Sequence, residues 1–539
     1  MRKDVSVVTS PPRQPTVARP ADAFLALAAV VVAAGVVLRL ALLGRQSYWI
    51  DELYSVNQSG GSLRQLLDVG STEVHPPLYA VLLWAWMKIG GTSEAWTHLL
   101  STLIALAAVV VTHTGLRRLD LGPHVRWAMT TATAAGSAWA VYALETRNYA
   151  LLLLGAAGLT VTTLRAGVRA LSGESAPARL LLAWFGWTLL ATSAHPFGAV
   201  LSAGAVAVLA ACTTRSRRGH RFRTASVLAL TALAAWIPLV AWLWRGVHEQ
   251  GFAGGTTWIR APGAQDLWDL VTTTFGSGGL SPHRDGFAWT SPLGVLAVVV
   301  LVAAGALYRR RTARSHERDA VPDDAVPDGA VPDDAVPGDV APAAAILLAL
   351  TVVVTAGAFA VSQVWHVWTL RNMLVIVPAL TWGVICLAAA ASGSAAGSRW
   401  TATAAIALLG AGLVPTATGV AQPYKTDFRG MLEYLVAVQK QEPGTTVVLL
   451  GYGMAQRFWL ATARSESDPG RAAVTGWLWA YPGDSLDVEP IARRPIVVVR
   501  YQSVAVPRPD AWAAAAVARL GGGSCSRVPV YGFAVLHCH

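Results

Sequence analysis

Two adjacent carboxylates, Asp51 and Glu52, stand inside an aromatic string, Tyr48–Tyr54 (YWIDELY), directly after an apolar block. A carboxylate there, its pKa adjusted by partial burial, can act as general base on an acceptor hydroxyl. An interfacial anchor with solvated acids would have the same composition. His75-Pro76-Pro77-Leu78-Tyr79 follows. Two prolines preset φ for a helix start, and a helix N-terminus holds anions such as phosphate. His75 could add a proton donor there, or be a bystander beside a capped helix.

A third cluster, Tyr142–Tyr149 (YALETRNY), offers Arg147, whose forked donors suit a phosphate. Glu145 could orient that arginine or bind sugar hydroxyls, and Tyr149 closes the group. An ion pair pinning two helix ends is the plainer reading of Glu145 and Arg147. The fourth set is looser: His195-Pro196, and Trp365–Asn372 (WHVWTLRN), where Arg371 is a second candidate for phosphate contact. His195 and His366 are weak signals by themselves.

The elements that must position these residues are membrane helices. The chain has 539 residues, 54% hydrophobic and 14% charged, against roughly 25% charged in soluble domains. Its apolar residues form uncharged blocks such as Phe24–Val37, Leu99–Val111 and Ala343–Ala360. Blocks extended to about 18 or more residues can cross about 30 Å of hydrocarbon. A soluble enzyme, a disordered chain and a secreted disulfide scaffold are excluded. The fold class is an all-α polytopic membrane protein with a small C-terminal α/β domain.

Eleven spans fit, near 21–43, 97–116, 125–143, 149–166, 179–194, 197–213, 224–244, 291–308, 343–361, 371–391 and 400–419. The first is read as an uncleaved span after a cytoplasmic tail at 1–20. Its N-terminus inside then places Arg117–Arg118, Arg165–Arg179, Arg215–Arg223, Arg309–Arg318 and Arg399 on the cytoplasmic side, as the positive-inside bias requires. Leu78–Ile89 is too short to cross and is expected to lie at the outer surface, with Trp84, Trp86 and Trp96 in the headgroup layer. The net charge, 42 − 31 = +11, resides mainly in these short connections, and no aromatic-basic nucleic-acid module is visible.

The transmembrane domain thus covers 21–419, with 44–96 as its first outer loop. Its long cytoplasmic linker, 309–342, carries four near-copies of a Pro/Asp pentapeptide that cannot pack a core. From 420 to 539 an extracytoplasmic domain is expected, with helices at Met431–Gln439 and Ala511–Leu520 and strands at Thr446–Leu450, Pro495–Val499 and Tyr531–Leu536. Cys212 and Cys386 fall in spans. Cys525 and Cys538, in an oxidising compartment, are expected to pair; a zinc site on Cys525, His537, Cys538 and His539 has awkward adjacency.

The succession DELYSV, HPPLYAVLLWAWMKIGGTSEAW, YALETRNYALLLL, SAHPFG and RNMLVIVPAL resembles the GT-C superfamily of membrane glycosyltransferases. The likeness covers about residues 20–390 and is nearest to the bacterial branch of protein O-mannosyltransferases and lipid A aminoarabinose transferases. It implies a polyprenyl-phosphate-linked sugar donor, mannose by family analogy, and transfer to a lipid, glycan or protein acceptor of the cell envelope on the non-cytoplasmic face. It puts Asp51 at the catalytic carboxylate position with Glu52 beside it, and His75, Arg147 and Arg371 at positions that shape the donor or its phosphate. The third block reads ETRNY where relatives often show a Glu-Ala-Arg-like run, so Glu145 departs from the pattern. No cofactor is implied, and no metal motif of the oligosaccharyltransferase type is evident. The rival reading is a multispan transporter or flippase of a lipid-linked intermediate, which would carry its charges near the bilayer middle. A third is a non-enzymatic outer-face binding protein.

Overall fold

The computed structural model describes residues 20–70, 74–213, 218–250, 259–276, 290–318, 336–421, 425–450, 478–481, 496–501, 524–530 and 532–539. The N-terminal tail, most of the Pro/Asp repeat and the helix expected at 511–520 lie outside the described residues. The bundle opens with α1 (Pro20–Ala41) and three short helices, α2 (Ile50–Gly60), α3 (Leu63–Gly70) and α4 (Leu78–Gly90). Next come α5 (Glu94–Leu116), α6 (Gly122–Ala135), α7 (Ser137–Tyr142), α8 (Tyr149–Leu171), α9 (Ala178–Ala194) and α10 (Phe197–Cys212). It continues with α11 (Arg218–Gln250), α12 (Ala264–Phe275), α13 (Thr290–Arg318) and α14 (Val340–Ser362). A 3₁₀ turn at Asn372–Ile376 leads into α15 (Val377–Ala391), followed by α16 (Ala395–Ala421).

Eight of the described helices are long and apolar enough to cross a membrane, and the chain is a multi-pass membrane protein. Each of the eleven expected spans has a helical counterpart. Three are shorter or interrupted: α9 and α10 have 17 and 16 residues. The third is broken: α6 stops at Ala135, and α7 resumes at Ser137 after an extended Gly136. Buried Arg39 of α1 donates to the carbonyls of Thr133 and Ala134. A guanidinium thereby meets carbonyls that the end of α6 leaves without intrahelical partners.

α8 and α15 are buried along most of their length, whereas α11 and α13 turn Leu230, Ile237, Leu296 and Val299 outward. In a membrane, apolar side chains facing outward meet lipid rather than water. Small residues let the inner helices close up: a Cβ on Gly158 would collide with the Trp187 ring, and one on Gly198 with the Ala191 backbone. α4 has 13 residues, about 20 Å of helix, and ends at Gly91 with φ 83°. Trp86 and Trp96 stack at 4.5 Å, and each indole donates to the other's backbone carbonyl, at 2.8 and 3.0 Å. This locks α4 to the start of α5.

After α16 comes α17 (Phe428–Gln441), and then five strands: β1 (Thr446–Leu450), β2 (Leu478–Tyr481), β3 (Ile496–Tyr501), β4 (Cys525–Val528) and β5 (Phe533–Cys538). They form one sheet in the order β2-β1-β3-β5-β4. β1 pairs parallel with β2 and β3, while β5 runs antiparallel to β3 and β4. Cys525 and Cys538, facing partners in the β4–β5 register, are disulfide-bonded.

Candidate functional site

The four sequence clusters converge at one end of the helix bundle. α2 and the junctions α7–α8 and α9–α10 meet there, together with the 3₁₀ turn before α15. The connections carrying the arginine clusters, after α5, α8, α13 and α15, lie at the opposite end.

The loop 143–148 is held through its backbone. Ser101 and Thr102 of α5 donate to the carbonyls of Glu145 and Ala143 at 2.6 and 2.9 Å, and Lys425 donates to Leu144 at 3.0 Å. Asn148 Nδ2 donates to the carbonyl of Ala194 at 2.7 Å, satisfying an acceptor at the end of α9. These polar side chains satisfy buried backbone carbonyls of the loop and of the end of α9, and so fix the loop in place.

The two adjacent carboxylates have different surroundings. Glu52 is fully buried: its oxygens accept from the Thr146 amide at 2.7 Å, Lys425 Nζ at 3.0 Å and the Trp49 amide at 3.2 Å. His98 Nε2 lies 2.9 Å from the same carboxylate. Burial by itself raises the carboxyl's pKa, but Lys425, His98 and the Thr146 amide outweigh it and hold the group at about 2. Through the bond to Trp49 the Glu52 carboxylate caps the amide that opens α2. Glu52 therefore joins the first loop, α5, the 143–148 loop and the segment after α16.

Asp51 is partly exposed, its side chain 30% accessible. Arg371 Nη1 donates to its Oδ2 at 3.1 Å, while the guanidinium lies over the Trp49 ring at 4.2 Å. Arg147 Nη1 donates to the Asp51 carbonyl at 3.3 Å and to Ser55 Oγ at 3.0 Å. Both arginines thus meet one turn of α2. Tyr142 and Tyr149, T-stacked at 5.1 Å, stand beside Arg371.

Glu145 is 6% exposed, and its Oε2 has no hydrogen-bond partner among the described residues. Burial pushes its carboxyl up to about 7, with Glu52 and Asp51 adding to the rise against Lys425 and Arg371. His75 and His195 meet with ring centroids 4.9 Å apart. His195 accepts the Phe197 amide at 3.1 Å, and burial, then His75 and Arg147, lowers its pKa well below the usual histidine range. It is a neutral imidazole at neutral pH. His366 is exposed.

All seven candidate residues lie at this end, while Ser55, His98 and Lys425 were missed by sequence reasoning. For Lys425 a signal existed: the chain has four lysines, and this one follows the last apolar block. Around Asp51, no three side chains of metal-ligand type cluster among the described residues; the grouping that does occur lies beside the sheet. An apolar cavity of about 510 Å³ lies between α6–α7, α13, α15 and α16, lined in part by Trp139, Val298, Leu301 and Leu409.

No family model and no curated protein matches the chain. Among solved structures, it is similar to ArnT from Cupriavidus metallidurans in the apo state, at 16% identity over 96% of this chain and 98% of that one, with a TM-score of 0.41. It is also similar to ArnT from the same organism bound to undecaprenyl phosphate, at 14% identity over 94% and 97% of the respective chains, with a TM-score of 0.39.

Proposed function

We propose that the chain is a membrane glycosyltransferase that moves a sugar from a polyprenyl-phosphate donor to an acceptor hydroxyl on the non-cytoplasmic face. The observation that carries this reading is the meeting of Asp51 with Arg371 at 3.1 Å, with Arg147 on the same turn of α2. One accessible carboxylate and two guanidiniums sit together at the end of an apolar bundle. A base and a phosphate clamp are the two parts this reaction needs.

In this reading a donor phosphate competes with Asp51 for Arg371. Its arrival draws the guanidinium from the carboxylate and frees Asp51 Oδ2 to accept the acceptor's proton. The acceptor oxygen attacks the anomeric carbon as the bond to the phosphate oxygen breaks, with inversion. Arg371 and Arg147 hold the charge that develops on the leaving phosphate. The Trp49 ring keeps Arg371 in place while it exchanges partners. Glu52 takes no proton in this scheme: it is a positioning residue that fixes α2 against the 143–148 loop. Tyr149, His75 and the carboxyl of Glu145 shape the polar pocket beside the arginines, and the apolar cavity offers room for hydrocarbon. Mannose is the proposed sugar by family analogy.

The arginine-rich connections at the end opposite Asp51 support placing the site outside, with the N-terminus inside. The test is incubation of the purified protein, in detergent or vesicles, with a panel of polyprenyl-phosphate sugars and envelope lipid, glycan or protein acceptors. The reading requires release of free polyprenyl phosphate together with a glycosylated product. If lipid-linked sugar is moved across vesicles without being consumed, the protein is a flippase and the proposal is wrong.

A further inference from the structure

The sheet domain carries a second cluster of chemically capable side chains, away from Asp51. Glu442 follows α17, while His537 and His539 are two residues apart at the end of β5 and so project to the same side of the strand. Their ligand atoms all lie within 4.8 Å of one another. His537 Nε2 is 3.1 Å from Glu442 Oε2, and His539 Nδ1 is 3.5 Å from Glu442 Oε1. Four donors around one zinc ion, each at about 2.0–2.1 Å, stand about 3.3 Å apart in a tetrahedron. The two histidine–carboxylate distances, one to each oxygen of Glu442, lie on either side of that value, and the full set stays within 4.8 Å.

The surroundings suit a ligand set. His537 is 8% exposed, and its other ring nitrogen, Nδ1, is 3.0 Å from the Tyr434 hydroxyl of α17. A metal-bound imidazole characteristically engages its second nitrogen in this way, which fixes the ring and presents Nε2. Cys538, between the two histidines, projects to the other side of the strand and is bonded to Cys525. The disulfide removes both thiols as ligands, so a set containing Cys525 and Cys538 is ruled out. It also holds the end of β5 in place, so the two imidazoles need little ordering.

We propose that Glu442, His537 and His539 form a divalent transition-metal site of the zinc class, with the fourth coordination position open. Two imidazoles and a carboxylate favour zinc over calcium or magnesium, which take oxygen ligands. The site would tie the last strand to α17, whose start reaches the first loop through Arg429, a donor to the carbonyls of Gly44 and Arg45.

The test uses the full-length protein, purified through a tag without histidine, stripped with chelator and dialysed against Zn²⁺. Saturable uptake of about one ion per chain is expected, with loss of that ion in His539→Ala and in Glu442→Gln. Co²⁺ should give the visible absorption of a four-coordinate nitrogen–oxygen site without thiolate charge transfer, because Cys212 and Cys386 are buried and the other two cysteines are bonded. His539 is half exposed, so its alanine variant should retain its fold; this is checked by its Cys525–Cys538 bond and its melting without metal. Absence of saturable uptake, or equal uptake by folded His539→Ala, would overturn the site.

Discussion

Lys425 and Glu52 lie 373 residues apart in sequence and meet at 3.0 Å, with both side chains buried. The pair joins the segment leading into the sheet domain to the first loop, one residue from Asp51. Removing one member of a buried pair leaves the other charge uncompensated, at a cost of about 3–5 kcal/mol. Lys425→Ala should therefore lower thermal stability in detergent severely, while Lys440→Ala, on the last turn of α17, should change it little. An unaltered melting curve for Lys425→Ala would remove the joint from the account.

pH dependence separates the two buried acids. Glu52, held at about 2 against an ordinary 4.5, contributes stability that is present above 4.5 and lost as pH falls toward 2. Glu145, pushed up to about 7, works in the opposite sense. Its contribution is full below 4.5 and is lost as pH rises through 7, because burial then forces a charge into the pocket. Melting temperatures from pH 5 to 8 should fall more steeply in the wild type than in Glu145→Gln. Parallel curves would mean that Glu145 does not titrate there.

How far these roles were legible depends on where each residue's partners lie. The spans were legible because lipid-crossing helices need long uncharged runs, and β1 coincides with the apolar run TVVLL. The division of labour between Asp51 and Glu52 was not. Neighbours on a helix point about 100° apart, and what each meets comes from far away: His98 and Lys425 for Glu52, Arg371 for Asp51 across 320 residues. The break at Gly136 was also hidden, since the carbonyls of α6 are met by Arg39, 94 and 95 residues distant. The helix at 264–275 lay in a segment whose mixed polarity gave no membrane signal.

Arg371 and Arg147 should differ under substitution. Arg371→Lys keeps a point charge but loses the planar fork and the stacking on Trp49. Transfer should drop by about 10-fold or more, with weaker donor binding. Arg147→Ala should lose donor binding together with the rate of the chemical step. Steady-state kinetics over a range of donor concentrations checks both; wild-type kinetics in either variant would take that arginine out of the clamp.

Topology follows from the arginine clusters. Accessibility reporters at residue 325, in the repeat linker, and at residue 480, in β2, should report opposite sides of the membrane, with 325 cytoplasmic. Reporters on the same side would refute the three crossings expected between 325 and 480, and with them the eleven-span count.

The most direct measurement is the single-turnover transfer rate of Asp51→Asn, on a donor and acceptor that the parent protein demonstrably uses. Asparagine keeps the side chain's size and can still face Arg371, but it cannot accept the acceptor's proton. Loss of a general base costs about 10²–10⁴ in rate, so transfer should fall by that factor while the variant melts like the parent and still binds donor. A rate near that of the parent would contradict the account: Asp51 would then be an anchor for Arg371, and the proton would have to leave by another route.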